Sequence, residues 1–111
     1  MKFVLQETPR FWWPVTVKMP DPKAAGKTIS QTLKCQFTGM TRSMALEMKA
    51  GDDDAMFKQI ITDWDDILDA DGNPVQFSEE AFAQALDLPW FRAGLWTAIG
   101  EATRGEPALK N

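Results

Sequence analysis

Asp69, Asp71, Asn73 and Glu80 fall at the first, third, fifth and twelfth positions of a loop, the spacing at which oxygen ligands surround calcium between two helices. That geometry needs glycine at the sixth position for its sharp turn, and Pro74 stands there, with Phe77 at the ninth. A capped turn is therefore the expected reading of residues 69–80, and no metal site is expected. Histidine is absent, which removes imidazole acid–base catalysis, Ser–His and Cys–His nucleophile pairs, and histidine metal ligands. Cys35 is the single cysteine, so neither an internal disulfide nor a cysteine-rich zinc site can form within one chain. No nucleophile pair, metal set or phosphate loop emerges, so neither an enzyme nor a cofactor is expected.

The residues left with binding chemistry are aromatic. Trp12 falls on the polar face of an alternating run, and Trp90 falls opposite an apolar helical stripe, beside Arg92 and Gly94. Exposed tryptophans are enriched at protein interfaces, and Trp12, Trp90 and Trp96 are the candidate partner contacts. Core or oligomer packing of the same rings stays open beside that reading. Stacking on single-stranded nucleic acid would need a basic groove, against which the acidic C-terminal half argues. Met40, Met44, Met48 and Met56 recur near helical spacing, which points to core packing more than to an adaptable groove.

The elements that must hold these residues follow from periodicity. Phe11, Trp13, Val15, Val17 and Met19 alternate with Trp12, Pro14, Thr16 and Lys18, which defines a strand with one buried face. Pro14 lacks an N–H and puts that strand at a sheet edge. Residues 20–27 hold two prolines and a glycine and form a loop expected to be mobile. Residues 28–38 alternate again, with Ile29, Gln31, Leu33, Cys35 and Phe37 on one face, completing an antiparallel hairpin. Thr41 or Ser43 can cap a short helix carrying Met44, Leu46 and Met48. Asp52-Asp53-Asp54 then suits the positive end of a helix whose buried face is Met56, Phe57, Ile60, Ile61 and Trp64. Ile67-Leu68 and Val75–Phe77 can pair across the turn. Ser78 caps a helix with Phe82, Ala85 and Leu86 inward, and Asp87 with Pro89 starts a last helix carrying Phe91, Leu95, Ala98, Ile99 and Ala102. Gly105 stops it, and 105–111 is a polar tail expected to fray.

The expected fold is α+β in one domain spanning 1–111. An N-terminal antiparallel β-hairpin, about 11–38, packs on a C-terminal group of three or four α-helices, about 41–104. Of the 111 residues, 44% are apolar, enough for one core, and no apolar run approaches the ~20 residues that span a bilayer. Neither membrane nor nucleic acid is an expected partner, and the cytoplasm is the expected compartment. Charge is uneven: residues 1–50 carry eight Lys/Arg and three acids, while 51–111 carry four Lys/Arg and thirteen acids. Such asymmetry gives a dipolar surface, useful for solubility or for steering a partner.

The series Trp64, Asp-Ala-Asp-Gly72, Pro74-Val-Gln-Phe-Ser78-Glu-Glu, Leu86, Pro89-Trp90 and Leu95…Ala98 resembles the tail assembly chaperones of long-tailed bacteriophages and prophages, over roughly residues 11–104. The resemblance implies a non-enzymatic protein of the host cytoplasm. It would bind the tape-measure protein, a very long helical protein with exposed apolar stretches, help recruit tail-tube subunits, and leave before the virion is complete. Self-association is compatible with that role. In such families a longer product often arises by frameshifting, and Leu109-Lys110-Asn111 can be encoded by a slippery A-rich heptamer. The competing expectation is another small phage component, a tail-completion or head–tail connector subunit that forms rings and stays in the particle.

Overall fold

A computed structural model describes residues 1–5, 9–39, 41–47 and 52–105. The side chains of Met44, Ala45 and Glu47, the residues Met40 and Met48, the tail beyond Gly105 and the Leu109–Asn111 segment lie outside the described set.

Both alternating runs form strands. β1 (Arg10–Pro20) pairs antiparallel with β2 (Thr28–Thr38) over their full length, from Arg10 opposite Thr38 to Pro20 opposite Thr28. β1 is an edge strand, which accommodates Pro14. The connection is closed by Asp21 N–H donating to the Lys27 carbonyl at 2.8 Å, with Gly26 at φ +74°. A short helix α1 (Arg42–Glu47) follows, then α2 (Asp53–Ile60), capped by the Asp52 carboxylate accepting from Ala55 N–H.

The helical face expected from Met56 through Trp64 does not run that far. The helix stops at Ile60, and Ile61–Asp65 is a third strand, β3, antiparallel to β2. Ile61 and Trp64 are both buried, although three residues apart, which a regular strand would put on opposite faces. Gln36 faces Asp63 while the next residue, Phe37, faces Ile61, so Thr62 is an extra residue, a β-bulge that restores the inward direction. The Thr62 hydroxyl donates to the Gln36 carbonyl at 3.3 Å and side-chain oxygen at 3.1 Å, pinning the bulge. The β-branched run Ile60-Ile61-Thr62 favours this extended exit from the helix.

Beyond β3 the chain bends at Asp66, φ +66°. Ile67 and Val75 then meet as expected, with Val75 N–H donating to the Ile67 carbonyl at 2.8 Å and Leu68 bridged to Pro74. α3 (Glu79–Leu86) starts at Ser78, whose hydroxyl accepts from Ala81 N–H at 3.0 Å. Ser78→Ala is expected to cost about 1 kcal/mol, read as a lower denaturation midpoint, by leaving that donor without its cap. Asp87 does not cap the next helix: it ends α3, and Leu88 is the N-cap of α4 (Pro89–Arg104), with no side-chain cap and Pro89 in the first turn. Pro89 lacks one of the N–H groups a cap would have to satisfy, which makes the missing bond tolerable. Gly105 closes α4 in the left-handed region at φ +67°.

The fold is α+β: a three-stranded antiparallel sheet in the order β1-β2-β3, with α2, α3 and α4 supplying the helical part of the core. The expected hairpin is thus two-thirds of the sheet, and the third strand interrupts the helical half. Val15, Val17, Leu33, Cys35 and Phe37 face Phe57, Phe82, Leu86, Phe91, Leu95 and Ala98 in one cluster. Gly94 lies in this interface, not on the outer side of α4 with Trp90: a Cβ there would stand 2.7 Å from the Thr16 carbonyl oxygen. Trp13 Nε1 donates to Glu101 at 3.2 Å, a second tie between α4 and β1. Arg92 joins α4 to α2, ion-paired with Asp53 and Asp54 and stacked over Phe57 at 5.5 Å.

Candidate functional site

The three candidate tryptophans are exposed, at 46% for Trp12, 40% for Trp90 and 42% for Trp96, but they lie on different surfaces. Trp12 sits on the sheet face turned away from the helices, aligned with Gln36 and, across β2, Asp63. Trp96 leans edge-on against Phe57, ring centroids 5.1 Å apart, closing the outside of the α2–α4 contact. Six residues separate it from Trp90, about one and two-thirds helical turns, so the two leave α4 in different directions. No single aromatic platform joins all three.

Trp90 alone among them lines an apolar groove of about 380 Å³. Its walls come from four parts of the chain: Val17, Met19 and Leu33 of the hairpin, Ile67 and Leu68 after β3, Ala85 and Leu88 around the α3–α4 junction, and Trp90 with Phe91 in the first turn of α4. Leu68, Leu88 and Trp90 remain exposed at 60%, 47% and 40%, which leaves three large apolar side chains around one concavity. The local causes are visible. Pro89 forces a break between α3 and α4 and leaves Leu88 extended between them, outside both helices' buried faces. The bridge to Pro74 holds Leu68 on the outer side of its turn. Apolar exposure gathered around one concavity, with polar groups at its edge, is the form of a protein-binding surface.

The aspartate-rich turn has a conformational role. Asp69 Oδ1 accepts from the N–H groups of Asp71 and Asn73, each at 2.9 Å, and the Asp69 N–H donates to the Asn73 carbonyl at 2.9 Å. Gly72 takes φ +83°, as the turn requires. Asp69 thus holds the loop in the shape that presents Leu68, and among the described residues no three acidic, cysteine or histidine side chains converge as a metal-binding set. Trp64, which opens the motif, is a core residue: its Nε1 donates to the Val75 carbonyl at 2.8 Å, and its ring meets Phe77, Phe82 and Phe91.

Cys35 is fully buried, and burial, reinforced by the negative charge of Asp63, pushes its thiol up to about 12 from its ordinary 9.0. A thiol held neutral in the fold favours folding less once the unfolded chain can ionise. Its contribution is whole below pH 9 and is lost as pH rises toward 12. The denaturation midpoint is expected to fall across that interval, and to fall less steeply in Cys35→Val. Tyrosine is absent, so no phenol ionises in that interval.

No protein-family model, curated protein or solved structure matches this chain. Among the described residues no helix is long and apolar enough to cross a membrane.

Proposed function

We propose that the protein is a tail assembly chaperone of a long-tailed phage or prophage, binding apolar stretches of the tape-measure protein in the host cytoplasm and helping to recruit tail-tube subunits. The observation that carries this reading is the groove where Leu68, Leu88 and Trp90 stand exposed together. A long helical cargo in transit presents rows of apolar side chains, and a groove of this size accepts a few of them at a time. Burying a leucine contributes roughly 1.5–3 kcal/mol, and a handful of such side chains barely exceeds the cost of association. One copy therefore holds its cargo weakly, and many copies along one cargo hold it firmly while each remains free to leave. The resemblance of the Trp64–Ala98 segment to such chaperones supports the same assignment, and the surplus of acids in the C-terminal half suits a protein that must stay soluble while exposing apolar surface.

Co-expression of the phage's tape-measure protein with and without this chain tests the reading. The tape-measure protein is expected to be soluble with it and aggregated without it, and the chain is expected to be absent from purified virions by mass spectrometry. A tape-measure protein equally soluble in both cases contradicts the proposal. Stoichiometric presence of the chain in virions would establish a connector or tail-completion subunit instead.

A further inference from the structure

The groove is bordered by more negative charge than the nearby cation balances. Asp66 and Asp69 stand on its rim. Lys34, 3.8 Å from Asp66, balances one of the two. In the same chain, Met1-Lys2-Phe3-Val4-Leu5 lies outside every helix and strand, and exposes Phe3 at 88%, Val4 at 66% and Leu5 at 90% beside the cationic Lys2. An apolar segment with a positive charge and an apolar groove with a negative rim are complementary in both respects.

Within one chain the exposed apolar residues of the segment stop short of the groove's mouth. Arg10 and Met19 lie nine residues apart on β1, about 30 Å at the rise of a strand. Phe3 precedes Arg10 by seven residues and is tethered within about 25 Å of it at full extension. The mouth of the groove, between Met19 and Trp90, is therefore beyond Phe3, Val4 and Leu5 of the same copy.

We infer that residues 1–5 of one copy dock in the Met19–Leu88–Trp90 groove of another. This contact is head-to-tail, using a different patch on each copy, so every added copy offers a fresh segment or a fresh groove and association continues into a ring or a filament. The inference stands apart from the cargo reading. It names the occupant of the groove in the absence of cargo, and it makes cargo and segment competitors for one site.

Sedimentation velocity of the full chain over a concentration series tests it. The average mass is expected to rise with concentration, and to rise less at high salt, where the rim charges are screened. Removal of residues 1–5 is expected to leave a monomer, as is Leu88→Asp combined with Trp90→Ala, with circular dichroism unchanged in both. Mixed together, the two variants are expected to form a one-to-one complex that grows no further, because one supplies the groove and the other the segment. A wild-type chain monomeric throughout, association that survives either change, or a mixture that stays monomeric overturns the inference. Cargo capture is a separate readout. A truncated chain that still captures the tape-measure protein leaves the chaperone reading standing, and a chain that self-associates but captures nothing refutes that reading alone.

Discussion

Trp64→Ala is expected to cost about 4 kcal/mol. The indole is 6% exposed and stands where the sheet, the 67–77 turn and both C-terminal helices meet. Its ring packs edge-on against Phe77, Phe82 and Phe91, with centroids 5.2, 6.0 and 6.3 Å away. Truncation opens a cavity among three aromatic rings and strips the Val75 carbonyl of the Nε1–H donor that ties the turn to β3. A domain of this size has a total stability of about 5–15 kcal/mol, so the loss removes between about a quarter and most of it, with a melting temperature lower by on the order of 15 °C. Thermal denaturation followed by circular dichroism checks this. Trp64→Phe should recover part of the loss, since it refills most of the cavity and leaves the carbonyl unpaired.

Gly94→Val is expected to cost roughly 3 kcal/mol, for the opposite reason. Here there is too little room. The Cβ would lie 2.7 Å from the Thr16 carbonyl oxygen and 3.3 Å from a Val15 methyl, and the nearer obstacle is sheet backbone, which cannot rotate aside. α4 must lift from β1, which stretches the Trp13–Glu101 hydrogen bond and loosens the cluster around Leu95. Gly94→Ala should be milder, because alanine regains about 1 kcal/mol of helix propensity against the same close approach. The measurement is urea denaturation of both variants: the midpoint should fall in the order wild type, alanine, valine. A stabilised Gly94→Val would show that α4 does not sit against β1 at this point.

The parts of the fold legible in the sequence were those whose period is local. Both hairpin strands follow from strict alternation, and Ser78 and Gly105 marked helix ends because their cap chemistry is complete within four residues. β3 was not legible. Ile61 and Trp64 share a spacing of three with a helical stripe, and only pairing with β2, more than twenty residues earlier, reveals that Thr62 is bulged out. Gly94 read as an outer-face residue because a missing side chain carries no polarity, and its burial depends on how closely a distant strand passes. The candidate site was legible in one part. Trp90 is exposed and stands at the groove, whereas Trp12 and Trp96, also exposed, face elsewhere. Leu68 and Leu88 carried a faint signal, each being an apolar residue beside a turn or a proline. Their meeting with Met19 and Trp90 depends on four segments converging, which no local pattern encodes.

Capture of the tape-measure protein by groove variants tests the central claim, that this chain works by lending apolar surface to an elongated cargo. With the co-expressed cargo as bait, Leu88→Asp combined with Trp90→Ala is expected to lose capture, while Trp12→Ala retains it and all the chains keep the same circular dichroism spectrum. Capture that survives the groove substitutions, or that falls equally with Trp12→Ala, would contradict the account.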